Sequence, residues 1–196
     1  MNPDPHWNTP PAPEPNELDL VLGQLRHLAS RCTHLLSVAA QATPPALQAS
    51  LLAQRLAPDM LCLAHQVVVL ADSLVGAAAL LAGRTDEPCM AWVFNRGDPD
   101  ALGPADATLT QALARLQAAE QALSALQHPS SRDTPPDTVV VARPGHARHF
   151  ALRGFLWGYL LPNGYFHASM IYALLRQAGL PVGKADFEGP PAYRLH

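Results

Sequence analysis

Hydrophobic residues recur at three- and four-residue steps in four long stretches of this chain. Such a period places them on one face of an α-helix, the face that packs against a core. The predicted helices cover about residues 17–42, 58–82, 104–127 and 155–178. The first is the most regular, with apolar side chains at Leu18, Val21, Leu22, Leu25, Leu28, Cys32, Leu35, Leu36 and Ala39. The pattern therefore predicts an all-α protein built on four long helices.

Prolines and glycines mark the ends of these helices. Pro58 and Pro104 suit a first helical position, where a missing amide hydrogen would have no intrahelical partner anyway. Asp59 would then lie in the first turn of the second helix, where the helix dipole favours a negative charge. Gly83 and Gly179 suit left-handed C-terminal caps. These signals predict that the second helix begins at residue 58 and the third at residue 104.

A proline interrupts the last predicted helix. Pro162 has no amide hydrogen to donate to the carbonyl of residue 158, and its ring crowds that carbonyl. The sequence therefore predicts a kink or a break between Gly158 and Gly164. Such a bend would widen the bundle beside Asn163 and His167 and make room for a ligand.

The segments between the helices are polar or rich in proline. A short helical turn over residues 46–57 is expected after the first helix, and residues 84–103 and 129–136 are expected to be irregular connections. Two β-prone runs, Thr138–Val141 and Ala147–Leu152, flank a turn-forming sequence. They predict a small β-hairpin directly before the last helix.

The N-terminal segment has the composition of a tail. Its first fifteen residues include six prolines, with neither a basic start nor an apolar core. We therefore expect residues 1–16 to be an extended or disordered tail and not a secretory signal, followed by one domain over 17–196. None of the three cysteines has the spacing of a zinc or redox motif. Together with the lack of a leader, this predicts a reducing, cytoplasmic compartment.

Composition argues against two classes of partner. Charged residues make up 15% of the chain and the net charge is −3, so there is no cationic surface for nucleic acid. Residues 60–82 are apolar enough to raise the question of a membrane span, but they carry His65, Gln66 and Asp72. An aspartate at the bilayer centre costs about 3 kcal/mol on insertion scales. We therefore expect no nucleic acid and no membrane, and a buried helix in a soluble bundle.

Two blocks of sequence resemble a known family. The first contains Gln54-Arg-Leu-Ala-Pro-Asp-Met60, Leu63-Ala-His-Gln-Val67, Ala71-Asp72, Gly76 and Leu81-Ala-Gly83. The second contains Leu161-Pro-Asn-Gly-Tyr-Phe-His167, Tyr172-Ala-Leu-Leu-Arg176, Gly179 and Val182-Gly-Lys-Ala-Asp-Phe-Glu-Gly189. Together they resemble the domain-of-unknown-function family nineteen ninety-three, which is placed with the DinB/YfiT-like class of proposed metalloenzymes. The resemblance implies a DinB/YfiT-like four-helix bundle and no established activity.

The class also implies a candidate metal site. Its members hold a divalent metal such as zinc or nickel through three histidines, one on the second helix and two, four residues apart, on the fourth. In this chain His167 falls on the second histidine of that pair and Asn163 on the first. An Asn oxygen coordinates these metals more weakly than an imidazole. The second helix could contribute His65 and Asp72.

The helical period decides whether these two residues could act together. His65 and Asp72 are seven residues apart and lie within about 20° of each other on a helical wheel, with Gln66 and Ser73 beside them. This polar stripe could be the solvent face of the helix. Because the rest of the helix is almost entirely apolar, we predict instead that both residues face the bundle interior, towards His167. The alternative for His167 is a core histidine bonded to a carbonyl or a tyrosine.

Other polar clusters are weaker candidates. His27 and His34 share a helix face with polar residues and are expected to be exposed. Cys62 and His65 are three residues apart and could touch one metal, yet nothing supplies the remaining ligands. No cysteine has an evident base in the sequence.

Two functional hypotheses remain. The first is a small-molecule-binding or stress-associated bundle without a strong metal site, expected to be a homodimer because an alanine-rich apolar helix face pairs readily. The second is a divalent-metal-dependent enzyme resembling a thiol transferase. In it His167 would anchor the metal, and Asp72 or His65 with Asn163 would complete the site.

Overall fold

A computed structural model of the chain describes residues 16–84, 106, 108–126, 135–143 and 145–190. The elements are α1 (Glu17–Ala42), α2 (Pro45–Leu52), α3 (Leu63–Leu81), α4 (Leu109–Ser124), β1 (Thr138–Arg143), β2 (His146–Ala151), α5 (Leu152–Phe155), a π-helical segment (Leu156–Leu160), α6 (Leu161–Gln177) and α7 (Lys184–Glu188). The predicted all-α class, with a small hairpin before the last long helix, is confirmed. The predicted tail, residues 1–16, lies outside the described residues except for Asn16, and the predicted connections 84–103 and 129–136 lie mostly outside them.

Four long helices form the bundle. α1 packs on α4 and α6, and α3 packs on the same two helices, so that α1 and α3 lie diagonally across the core. The largest fully buried aliphatic side chains come mainly from these two helices: Leu22, Leu25, Leu28, Leu35, Leu36, Leu63, Leu70, Leu74, Leu80 and Leu81. The apolar stripes predicted from the sequence therefore meet in one core.

α1 has the predicted bounds, and its first turn explains why it begins at residue 17. The amide of Asp19 donates to the side-chain oxygen of Asn16 over 2.9 Å. This bond satisfies one of the amides that a helix start leaves without an intrahelical partner.

The start of α3 was predicted wrongly. The helix begins at Leu63, after an N-cap at Cys62, and not at Pro58 and Asp59. The amide of Leu63 donates to the carbonyl of Gln54 over 2.9 Å, which closes a turn over the residues between them. Pro58 and Asp59 belong to that turn, because both residue types suit turns as well as helix starts.

α3 is the one helix of the described residues that is long and apolar enough to cross a membrane. In the bundle, 83% of the 18-residue apolar stretch of this helix is buried. Its apolarity is therefore explained by its position in the core of the bundle.

The start of α4 also differs from the prediction. The helix begins at Leu109, where Thr108 and Gln111 form a reciprocal capping box. Pro104, the predicted start, lies outside the described residues. At the other end, the Arg26 guanidinium on α1 donates to the carbonyls of Leu123 and Leu126. A positive charge at this position is stabilised by the partial negative charge at the C-terminal end of the helix.

The hairpin pairs in the register Val139↔Phe150 and Val141↔Arg148. Val139 and Val141 are both buried, whereas the intervening Val140 is 42% exposed. The alternation shows which face of β1 rests on the bundle. The amide of Leu152 donates to the carbonyl of Asp137 over 2.9 Å, so the last long helix starts directly where the hairpin ends.

The predicted kink or break at Pro162 takes another form. The helix continues from α5 into α6 without a break, but it widens to a π-helical turn over Leu156–Leu160. The amide of Leu161 donates to the carbonyl of Leu156, five residues back. A π turn adds a residue to the helix and is a common way to interrupt its hydrogen-bond ladder locally.

α7 is held against α1 by a histidine–carboxylate pair. The Nε2 atom of His34 lies 2.9 Å from Asp186 Oδ1, and the amide of Gly183 donates to the other carboxylate oxygen over 2.7 Å. His34 was expected to be exposed. Its side chain is 42% exposed, and it also has a partner that was not expected, because α7 folds back over this face of α1.

This pair predicts a pH-dependent docking of α7. The hydrogen bond from His34, and next the amide of Gly183, hold the pKa of Asp186 below its ordinary value. A carboxyl with a lowered pKa stabilises the folded state above its ordinary pKa, and that contribution is lost as pH falls through the lowered value. We expect Asp186→Asn to raise hydrogen exchange at the α7 amides up to about fivefold at neutral pH, the range for exposed ion pairs.

The difference between the Asp186→Asn variant and the parent protein should disappear in strong acid. Glu188→Gln, which alters only the exposed pair between Lys184 and Glu188, is the matched control and should leave exchange at the other α7 amides unchanged. Equal protection of α7 in Asp186→Asn and in the parent at neutral pH would contradict the assignment.

Candidate functional site

A buried polar pair joins the two helices that were expected to form the site. His167 on α6 is 5% exposed and Gln66 on α3 is 2% exposed. His167 Nδ1 lies 2.7 Å from Gln66 Oε1. A polar atom is costly to bury without a hydrogen bond, so each of the two groups satisfies the other.

The geometry of Gln66 fixes the tautomer of His167. Gln66 Nε2 donates to the carbonyl of Leu61 over 3.3 Å, which points the amide oxygen towards the imidazole. An amide oxygen only accepts, so Nδ1 of His167 carries the hydrogen and donates it. In the neutral ring the lone pair then lies on Nε2.

Asp72 belongs to a different cluster. Its Oδ1 accepts from Arg115 Nη1 of α4 over 3.4 Å, and the same guanidinium donates to both oxygens of Asp106, over 2.9 and 3.1 Å. Burial raises the pKa of the Asp72 carboxyl above its ordinary value, and the neighbouring Arg115 partly opposes that rise. The cluster ties α3 to the residues at the start of α4.

His65 pairs within its own helix turn. Its Nδ1 atom lies 3.3 Å from the sulfur of Cys62, and its side chain is half-buried. The two residues were expected three apart on a helix, close enough to touch one metal. The pairing of the imidazole with the thiol, which gives Cys62 a base, was missed.

The side chain of Asn163 forms a hydrogen bond within its own helix. Its Nδ2 atom donates to the carbonyl of Tyr159 over 2.6 Å. Tyr159 lies in the π-helical segment, where the hydrogen-bond ladder is interrupted. The amide side chain therefore supports the helix beside Pro162.

The four candidate ligands are not brought together. His167 contacts Gln66, Asp72 contacts Arg115, His65 contacts Cys62 and Asn163 contacts Tyr159. Within the described ranges, no group of three His, Cys, Asp or Glu side chains is arranged to hold a metal ion. The predicted orientation of His65 and Asp72 towards His167 is not found, because Gln66 points about 100° away from His65 on the helix and takes the place facing α6.

A surface pocket lies away from these residues. It has a volume of about 260 Å³ and is lined by α2, by residues on either side of α2 and by residues that follow α6, among them Thr43, Leu47, Gln54 and Leu180. Neither Asn163 nor His167 lines it. The sequence-based expectation of a widened space beside His167 is therefore not met by this pocket.

Comparison with solved structures shows the class of fold. The fold is similar to that of a DinB family member from Shewanella denitrificans, with a TM-score of 0.64 and 23% sequence identity over 91% of this chain and 95% of that one. At this identity the likeness establishes a DinB-like fold and nothing about chemistry. No curated protein matches the chain.

The family follows from the sequence itself. The family described as a domain of unknown function (DUF1993) matches residues 19–188. The chain therefore belongs to this family, as the two blocks of sequence indicated.

Proposed function

We propose that this protein binds a small molecule at the polar centre formed by Gln66 and His167, and that it does so without a tightly held divalent metal. The observation that carries the second part of the proposal is that the four candidate ligands bond to four different protein groups. The first part rests on the buried polar pair itself and on the exposed aromatic ring beside it. The ring of Phe166, 49% exposed, meets the imidazole of His167 edge-on with ring centroids 5.2 Å apart.

The donor set does not fit the metal that the class implies. A tightly bound zinc needs three or four ligand atoms that converge on one point. Here the Asp72 carboxylate faces a guanidinium, and the Asn163 amide is bonded to a backbone carbonyl. We derive no step that passes through a metal.

The metal content of the protein tests this proposal directly. Protein purified without a histidine tag should contain well below one equivalent of zinc or nickel, as measured by elemental mass spectrometry. Added Zn²⁺ should bind no more tightly to the parent protein than to His167→Ala. The matched control is His149→Ala, which removes an exposed histidine from β2. One equivalent of metal that is lost in His167→Ala and kept in His149→Ala would reject the proposal.

One observation favours the metal-dependent alternative. His167 donates from Nδ1 to the side-chain oxygen of Gln66, and metal-binding histidines are usually oriented by such a bond from their other ring nitrogen. If the metal measurement gives one equivalent, a thiol-transferase-like enzyme with His167 as the anchoring ligand becomes the better proposal.

The oligomeric state and the compartment are part of the same proposal. We infer a cytoplasmic homodimer, supported by the lack of a disulfide at Cys32 and Cys62 among the described residues and by the exposed apolar rings of Trp157 and Phe166. Sedimentation equilibrium should give twice the mass of one chain.

A further inference from the structure

The thiol of Cys62 has an imidazole within hydrogen-bonding distance. Cys62 Sγ and His65 Nδ1 are 3.3 Å apart, on the N-cap and in the first turn of α3. A neutral imidazole nitrogen at this distance can accept the thiol hydrogen. A nucleophile and a base within such reach are the two parts that an activated cysteine requires.

Cys62 stands at the N-terminal end of a long helix. Cys62 precedes a 19-residue helix, and its side chain makes no capping hydrogen bond. The partial positive charge at a helix N-terminus stabilises a nearby anion. The preceding turn is held by Gln66, which donates to the carbonyl of Leu61, and by Arg55, which donates to that of Met60. The segment directly before Cys62 is therefore held in place.

Cys32 provides a contrast within the same chain. It lies in α1, is fully buried, and burial raises the pKa of its thiol to about 12. Cys62 is 5% exposed, and the His65 ring beside it is half-buried. Of these two cysteines, only Cys62 combines a base with a helix N-terminus.

We propose that Cys62 forms a reversible mixed disulfide with low-molecular-weight disulfides, with His65 as its base. His65 takes the thiol proton, the thiolate attacks one sulfur of the disulfide, and a new bond forms between Cys62 and that sulfur. The original sulfur–sulfur bond breaks, and the leaving thiolate takes the proton from the imidazolium. The small disulfide is the oxidant. The step uses neither a metal nor His167, so it stands apart from the small-molecule site.

The reaction can be followed with 4,4′-dithiodipyridine, which releases a coloured thione when a thiol attacks it. The full chain is used with Cys89→Ser, because Cys89 lies outside the described residues and its thiol would complicate the count. The native protein should release one equivalent, mapped to Cys62 by mass spectrometry and lost in Cys62→Ser. Cys32 should react only after unfolding.

The role of His65 is tested by the rate. His65→Gln should slow the reaction of Cys62 about a hundredfold, the lower end of the range for the loss of a general base. His149→Gln is the matched control and should leave the rate unchanged. Added imidazole should restore part of the rate in His65→Ala, which a purely structural role would not allow. In denaturant the parent and His65→Gln should react at the same rate.

Two results would overturn the proposal. One is a native Cys62 that reacts no faster than Cys32. The other is an unchanged rate in a His65→Gln protein that retains its cooperative thermal unfolding. If His65→Gln does not fold, two other measurements test the proposal. They are the effect of added imidazole on His65→Ala and the ratio of Cys62 to Cys32 reactivity in the parent protein.

Discussion

Replacing Gln66 with leucine should lower the free energy of unfolding by about 1–3 kcal/mol, because it leaves a buried imidazole N–H without its acceptor. His167→Leu should have a similar effect, since it leaves the Gln66 oxygen buried and unbonded. The double replacement should be less harmful than the sum of the two, because it removes both polar groups together. Urea unfolding of the four proteins gives the coupling energy.

Ser73→Ala is the matched control for this cycle. Ser73 is also a buried polar residue of α3, but its hydroxyl donates over 2.7 Å to the carbonyl of Val69 in its own helix. Its loss should cost about 0.5–1 kcal/mol and should not be coupled to His167. Additive effects of Gln66→Leu and His167→Leu would mean that their contact contributes nothing to stability.

Arg115→Met should destabilise the protein by about 2 kcal/mol at neutral pH. Removing the partner of a fully buried charge costs about 3–5 kcal/mol. The effect should be smaller here, because the Arg115 side chain is 35% exposed and that of Asp72 is 22% exposed. The change leaves the carboxylates of Asp72 and Asp106 close together without the cation between them.

The sign of the pH dependence follows from Asp72. Burial already raises its pKa, and losing Arg115 should raise it further. A carboxyl whose pKa is raised in the folded state binds its proton more tightly there than in the unfolded chain. Its contribution to stability is therefore fully present below the ordinary carboxyl pKa of about 4 and is lost as pH rises through the raised pKa. The difference in the free energy of unfolding between the parent protein and Arg115→Met should therefore become smaller as pH falls from 7 towards 4.

An exposed ion pair offers the control for this prediction. Arg153, whose side chain is 80% exposed, pairs with Glu17 over 2.6 Å at the surface. Arg153→Met should produce no comparable pH-dependent loss of stability. A loss in Arg115→Met that is the same at pH 7 and pH 4 would show that packing of the long side chain, and not its charge, matters at this position.

The helices could be predicted from sequence because the apolar residues that recur along it are the ones that the folded chain buries. α1 begins and ends where the pattern places it, at Glu17 and Ala42. The starts of α3 and α4 could not be found in the same way. Pro58 suits a turn and a helix start equally well, and the choice depends on the long-range bond from Leu63 to Gln54.

The site was harder to predict than the fold. The polar stripe on α3 was recognised, but adjacent residues of a helix point about 100° apart, so a small rotation decides which of His65 and Gln66 meets α6. That rotation is set by packing against α4 and α6, which the period of one helix does not contain. Arg115 was missed because nothing in the local sequence links it to Asp72, 43 residues earlier.

The π turn before Pro162 also affects how this chain compares with its relatives. A π turn amounts to one inserted residue in an α-helix, and it shifts everything on its N-terminal side by about 100° around the axis. A relative that lacks the turn would be one residue shorter inside a helix, where gaps are seldom expected. Positions after the turn, including Asn163 and His167, would still correspond, whereas the hairpin and α5 would be matched one residue out of phase unless the gap is placed within Leu156–Leu160.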